Sequence, residues 1–143
     1  MTPSPVTLTA TPYLSFPGNA AEVLGHWQQL FGGELEVRTY GAEPMEGLPF
    51  DPPADAVAHA VLTAPGLTIC GGDGIGEDLP GLESGVYSFL LTVGSAEEGR
   101  AVYARVVEAG GTAEMPFEVA PWGDHYGQVR DRYGVRWAVT TGS

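Results

Sequence analysis

The side chains able to do chemistry are few. The chain carries three histidines, one cysteine, and six basic residues that are all arginine. His59 lies in Val57-Ala-His-Ala60, an otherwise apolar run. An imidazole there has two readings. It contacts a ligand or acts as a base, or it is a core or interface histidine satisfied by a backbone carbonyl. His125 stands beside Asp124 in Trp122-Gly-Asp-His-Tyr126. Neighbours on an extended chain point to opposite faces, so these two are not a preformed Asp–His pair, and the plainer reading of His125 is a solvated loop residue. His26 falls off the apolar stripe of its segment, which predicts an exposed side chain. Cys70 reads as a small buried residue; a nucleophile would need an activating base nearby. Gly71-Gly-Asp-Gly-Ile-Gly76 has no lysine and runs into Glu77 and Asp78, which opposes phosphate binding and reads as a linker. Arg130, Arg132 and Arg136 crowd the last turn. Local ion pairs with Asp131 and Asp124 are the plain reading, anion binding the other.

These residues are placed by a pattern that occurs twice. Residues 1–11 are a Thr/Pro-rich lead-in. Tyr13–Phe16 is a short strand closed by Pro17-Gly18, and Asn19 is placed to cap a helix. From Ala20 to Phe31, Val23, Leu24, Trp27, Leu30 and Phe31 make one apolar face, and Gly32-Gly33 stops it. Residues 34–39 alternate as a strand, 41–55 form a proline-rich loop, and 56–63 and 67–70 are strands around Pro65-Gly66. After a Gly-rich acidic linker the order restarts. Residues 86–93 read as a strand, and Ser95-Ala-Glu-Glu98 is a capping box. Val102, Val106 and Val107 mark a helix stopped by Gly110-Gly111. Strands then fall at 112–119, 125–130 and 135–140, the last two around a turn from Asp131 to Gly134. The organisation is residues 12–72, a linker at 73–85, and 86–143. Each half is too thin to bury both faces of its sheet, so the halves are expected to pack as one unit.

Composition limits the partners. Eighteen acidic residues against six basic give a net charge of −12. Nucleic acid and anionic membrane surfaces both need a basic face that this chain cannot build. A cationic or neutral small ligand suits the charge better, although acidity also serves plain solubility. One cysteine excludes an internal disulfide framework. No apolar run is long enough to span a membrane, and the opening residues do not read as a signal peptide. Cytoplasmic location is the expectation.

Pro12-Tyr-Leu-Ser-Phe-Pro-Gly-Asn19, the helix ending in Phe31-Gly-Gly, Val57-Ala-His-Ala60, Trp122-Gly-Asp124, and Gly127-Gln-Val-Arg-Asp131 leading to Gly134-Val-Arg-Trp137 together resemble PhnB-like proteins. Those belong to the vicinal oxygen chelate superfamily, with glyoxalase I, extradiol dioxygenases, fosfomycin-modifying enzymes and bleomycin-resistance proteins. The resemblance implies an α+β fold of tandem βαβββ modules, a curved mixed sheet around a cleft, and a homodimer. It also implies a divalent metal held by four His/Glu side chains on the first and last strand of each half. Those positions fall near Pro12, near Ile69 or Cys70, near Ser88 and near Ala138, and none is His, Asp or Glu. No metal and no cofactor are therefore expected, since a divalent ion needs about three protein ligands.

Two functions follow from that resemblance. One is a non-catalytic protein holding a small, flat, cationic ligand in a dimer cleft, with Tyr13, His59, Cys70, Ser88, Trp122, His125 and Tyr126 as ligand-binding residues. Flat aromatics such as Trp122 and Tyr126 cover a ligand face with little entropy lost; packing beneath the loop is the plainer alternative for both. The other is an enzyme of lyase, isomerase or dioxygenase type acting on a small oxygenated metabolite, with His59 as the first catalytic candidate.

Overall fold

In the computed structural model, residues 6–42, 47–48 and 51–142 are described. Parts of the expected lead-in and of the 41–55 loop lie outside them. The elements run β1 (Tyr13–Phe16), α1 (Ala20–Phe31), β2 (Glu34–Thr39), β3 (Val57–Ala64), β4 (Leu67–Asp73), β5 (Phe89–Thr92), α2 (Ala96–Glu108), β6 (Thr112–Val119), β7 (His125–Arg130) and β8 (Arg136–Thr140). The chain divides into two compact units, one ending at Leu79 and the other starting at Pro80. Each is a βαβββ module. The sheet orders are β1-β4-β3-β2 and β5-β8-β7-β6, so the same arrangement appears twice.

In the first unit α1 packs on one face of its sheet. Val23, Leu24, Trp27 and Leu30 are buried against Phe16, Ala60, Leu62 and Ile69, with the Phe16 and Trp27 rings 6.1 Å apart. Gly71 is required by this packing. A Cβ there would fall inside contact distance of the Leu14 carbonyl and the Phe16 ring. The expected linker therefore begins later than its glycines suggest: Gly71, Gly72 and Asp73 belong to β4. Asp73 also does what Asn19 was expected to do. Its Oδ1 accepts from the Ala20 amide and its Oδ2 from the Val57 amide, both at 2.8 Å, while Asn19 makes no side-chain capping bond. A carboxylate reaching across from β4 thus satisfies the helix start and ties it to β3. His26 corrects the expectation of exposure: it is only 5 % exposed. It is spaced with Val23, Trp27 and Leu30 at i, i+3, i+4 and i+7, and so falls on the buried stripe.

In the second unit Val106 of α2 packs over Val129, Trp137 and Val139, all fully buried. The capping box forms at Ser95, whose Oγ accepts from the Glu98 amide at 3.1 Å. The strand expected over 86–93 is shortened to Phe89–Thr92. The Val86 amide turns to Ser84 Oγ and the Tyr87 hydroxyl donates to the Leu82 carbonyl, which takes residues 84–87 off the ladder. The turn at Asp131 is as expected, closed by Gly134 N–H donating to the Asp131 carbonyl at 3.0 Å. Gly134 has φ +84°, which only glycine adopts without strain. Among the described residues no helix is long and apolar enough to cross a membrane.

Candidate functional site

Two groups of side chains lie on the sheet faces turned away from the helices, one in each unit. In the first unit Phe16 faces α1, so Tyr13, three positions earlier on the strand, faces the other way. Tyr13 pairs with Cys70 in the parallel β1–β4 register, and Cys70 pairs with Val61 across β3. His59, two residues before Val61, shares that face. The Tyr13 and His59 rings stack at 5.8 Å, and the Tyr13 hydroxyl lies 3.5 Å from His59 Nδ1. The sequence singled out all three residues, and the fold places them on one face.

In the second unit β6 is an edge strand with two register shifts, on either side of Met115. Pro116 has no amide hydrogen to give the ladder and is tolerated at such an edge. Beyond it the chain reverses through a tight turn. The Ala120 amide donates to the Asp124 carbonyl at 2.7 Å and the Gly123 amide to the Ala120 carbonyl at 2.9 Å; Gly123 supplies φ +101°. Trp122 stands on this hairpin tip, 64 % exposed. Its ring meets Tyr126 edge-on at 5.9 Å. The bulged strand and the tip enclose a cavity of about 300 Å³ lined by Met115, Pro116, Val119, Pro121, Trp122 and Tyr126, with Glu118 as its one charged wall. Of these, Trp122 and Tyr126 were picked out from sequence. The β6 residues were not, because nothing in the run of sequence reveals the bulges that turn them towards the tip.

His125 and Ser88 are not brought to this cavity. His125 faces α2, its ring 5.7 Å from Phe117 and its Nε2 3.5 Å from an Arg100 amino group. Ser88 is exposed just before β5.

The ion pairs of Arg130 and Arg136 run to Glu114 rather than to the expected Asp131 or Asp124. Asp131 spends its carboxylate on the turn and the core: Oδ1 accepts from the Tyr133 and Val135 amides, and Oδ2 from the Trp137 indole at 2.9 Å. Arg130 and Arg136, opposite one another in the β7–β8 register, instead share Glu114 of β6. Arg130 Nε donates to Glu114 Oε2 at 2.7 Å and Arg136 Nε to Oε1 at 2.8 Å. These two bonds hold the Glu114 carboxyl below the usual glutamate range. Arg132 lies over the Tyr133 ring. Tyr103 of α2 fastens β6 to β7, its hydroxyl shared between the Met115 and Gln128 carbonyls, and burial raises its pKa.

The comparisons agree with this topology. The model of the Glyoxalase/Bleomycin resistance protein/Dioxygenase superfamily matches residues 12–139. The chain belongs to that superfamily. It is 29 % identical over 142 residues to protein YjdN of Escherichia coli K12, covering 90 % of this chain and 92 % of that protein. The crystal structure of PA1353 from Pseudomonas aeruginosa superposes with a TM-score of 0.75 at 29 % identity, covering 93 % of this chain and 96 % of that one. A PhnB protein of Bacillus cereus shares the fold with a TM-score of 0.69 at 24 % identity, over 93 % of this chain and 98 % of that one. The PhnB-like resemblance thus holds.

The divalent metal that this superfamily implies can be tested against the residues present. The positions that the resemblance implies fall near Pro12, near Ile69 or Cys70, near Ser88 and near Ala138, and the strand registers set Tyr13 beside Cys70 and Leu90 beside Ala138. Phenol, thiol and alkyl groups do not make the His/Glu donor set of a first-row divalent ion. Among the described residues no three His, Cys, Asp or Glu side chains gather to hold one. The residues therefore do not fit the group in the superfamily's usual place.

Proposed function

We propose that this superfamily member binds a small, flat, largely apolar molecule at the β6–β7 hairpin without the superfamily's metal. One observation carries the reading: an aromatic-walled cavity of about 300 Å³ beside the exposed Trp122. That volume is at the small end of ligand sites. Glu118 in the wall and the chain's net charge of −12 favour a positive charge on the ligand. The superfamily resemblance, with sheets too thin to bury both faces alone, supports a homodimer.

Tryptophan emission tests the binding. Trp27 and Trp137 are fully buried, so Trp122 is the wetted fluorophore. N-methylquinolinium, a flat cation, is expected to quench the emission saturably, less tightly as salt rises, and not in W122A. Absence of saturable quenching, or quenching retained in W122A, would overturn the reading.

A second reading is catalytic. The Tyr13–His59 pair supports a base acting on a small oxygenated metabolite, with His59 taking the proton and Tyr13 orienting the ring. It is tested by H59Q, which should abolish turnover of any substrate found while leaving N-methylquinolinium binding intact.

A further inference from the structure

Arg130 and Arg136 face each other across the β7–β8 ladder. Like charges directly opposite are destabilising on a sheet, and this chain has only six basic side chains to place. Glu114 relieves the repulsion by accepting from both Nε atoms. The outer groups of the two arginines then differ. Arg130 turns its amino groups to the carbonyls of Gly134 and Ser84 and is spent on the turn. Arg136 has no partner besides Glu114 among the described residues, with its side chain 23 % exposed. It is fixed through Nε, and among the described residues its two terminal amino groups have no partner. Arg130 and Glu114 would already neutralise each other, so a second cation beside them is not needed to hold the fold.

From this geometry we propose that Arg136 anchors a ligand carboxylate on the face of the second sheet opposite α2. A planar guanidinium held at Nε presents two parallel N–H donors, which match the two oxygens of a carboxylate. The surroundings fit an organic acid rather than a bare ion. Ala138 and Leu90 pair two positions along from Arg136 on the same face, giving a small apolar floor. Tyr126 pairs with Thr140 four residues along β8, about 13 Å away at strand spacing. The anchor lies along β8 from the hairpin tip, and the inference, which takes an anion rather than a cation, goes beyond the reading given above.

The test uses the full ¹⁵N-labelled chain at low salt, titrated with sodium benzoate, sodium sulfate and benzamidinium chloride. Benzoate is expected to move the Arg136 Nε–H resonance saturably, with Kd in the millimolar range. Sulfate should bind more weakly, and benzamidinium should leave that resonance unmoved. R136Q should weaken benzoate at least tenfold, and R136K should fall between. The Trp137 indole N–H, bonded to Asp131, reports that the fold beside the variant is intact. Benzoate affinity unchanged in R136Q would overturn the proposal, as would sulfate binding as tightly as benzoate. Loss of benzoate binding in W122A but not in R136Q would do the same by placing the anion at the hairpin, whereas failure of N-methylquinolinium alone would touch only the hairpin reading.

Discussion

Glu114 shows how one side chain governs a neighbourhood. Two arginines donate to it at 2.7 and 2.8 Å, and their bonds depress its pKa. A carboxylate with a lowered folded pKa adds stability that is fully present above the ordinary glutamate range and fades as pH falls through the folded value. E114Q should therefore be less stable than the parent at pH 7, and the gap should close as pH drops below about 4. Urea unfolding at a series of pH values measures it; a gap that stays constant down to pH 3 would contradict the assignment. Sequence reading named the arginines but gave them the wrong acids. Asp131 and Asp124 are nearest along the chain, yet Asp131 is consumed by its own turn and by Trp137. Glu114 is brought near only by a cross-strand register that no local signal encodes. His59 and Tyr13 were both legible as residue types, while their 5.8 Å stacking needed the sheet order.

At the scale of elements, the boundaries drawn from punctuation hold where local chemistry decides and move where tertiary contacts do. Ser95 caps α2 from within its own sequence and was legible. Asp73 caps α1 from a strand more than fifty residues away and was hidden in an apparent linker. Its two 2.8 Å bonds to the Ala20 and Val57 amides make it a strong test. D73A leaves both amides without a partner and should cost about 2–4 kcal/mol; D73N keeps one acceptor oxygen and should recover about half. Equilibrium denaturation checks both, and a loss below about 0.5 kcal/mol in D73A would mean that water replaces the carboxylate. Gly71 is a second case. G71A puts a methyl against the Leu14 carbonyl and the Phe16 ring and should destabilise by about 1–3 kcal/mol through overpacking. The bulged edge strand β6, which opens the hairpin cavity, was read correctly as a strand, but its irregularity was not visible: Pro116 marks the spot without saying which way the chain bends.

At the scale of the whole molecule, the repeat of element order was the most legible feature, since helix stops at Gly32-Gly33 and Gly110-Gly111 recur and each helix has one apolar face. The sheet orders are identical in both units. The proposed homodimer leads to an expectation about assembly. Sedimentation at micromolar concentration should give a dimer, and a stable 15.0 kDa species would contradict it. Charge acts at this scale as well. With a net −12, cations should be captured faster at low salt. Arg136 is a local exception that the net charge conceals.

The central claim is that the chain binds a flat ligand in the aromatic-walled cavity of the β6–β7 hairpin and does so without the superfamily's metal. Thermal unfolding of the full chain decides it most directly, with Zn²⁺, Ni²⁺ and Mn²⁺ in one series, flat aromatic cations in the other, and W122A as control. The expected result is that the metals leave the transition in place while an aromatic cation at a hundred times its Kd adds about 2.7 kcal/mol of stability, lost in W122A. Strong stabilisation by a divalent metal, with the aromatic cations doing nothing, would contradict the account.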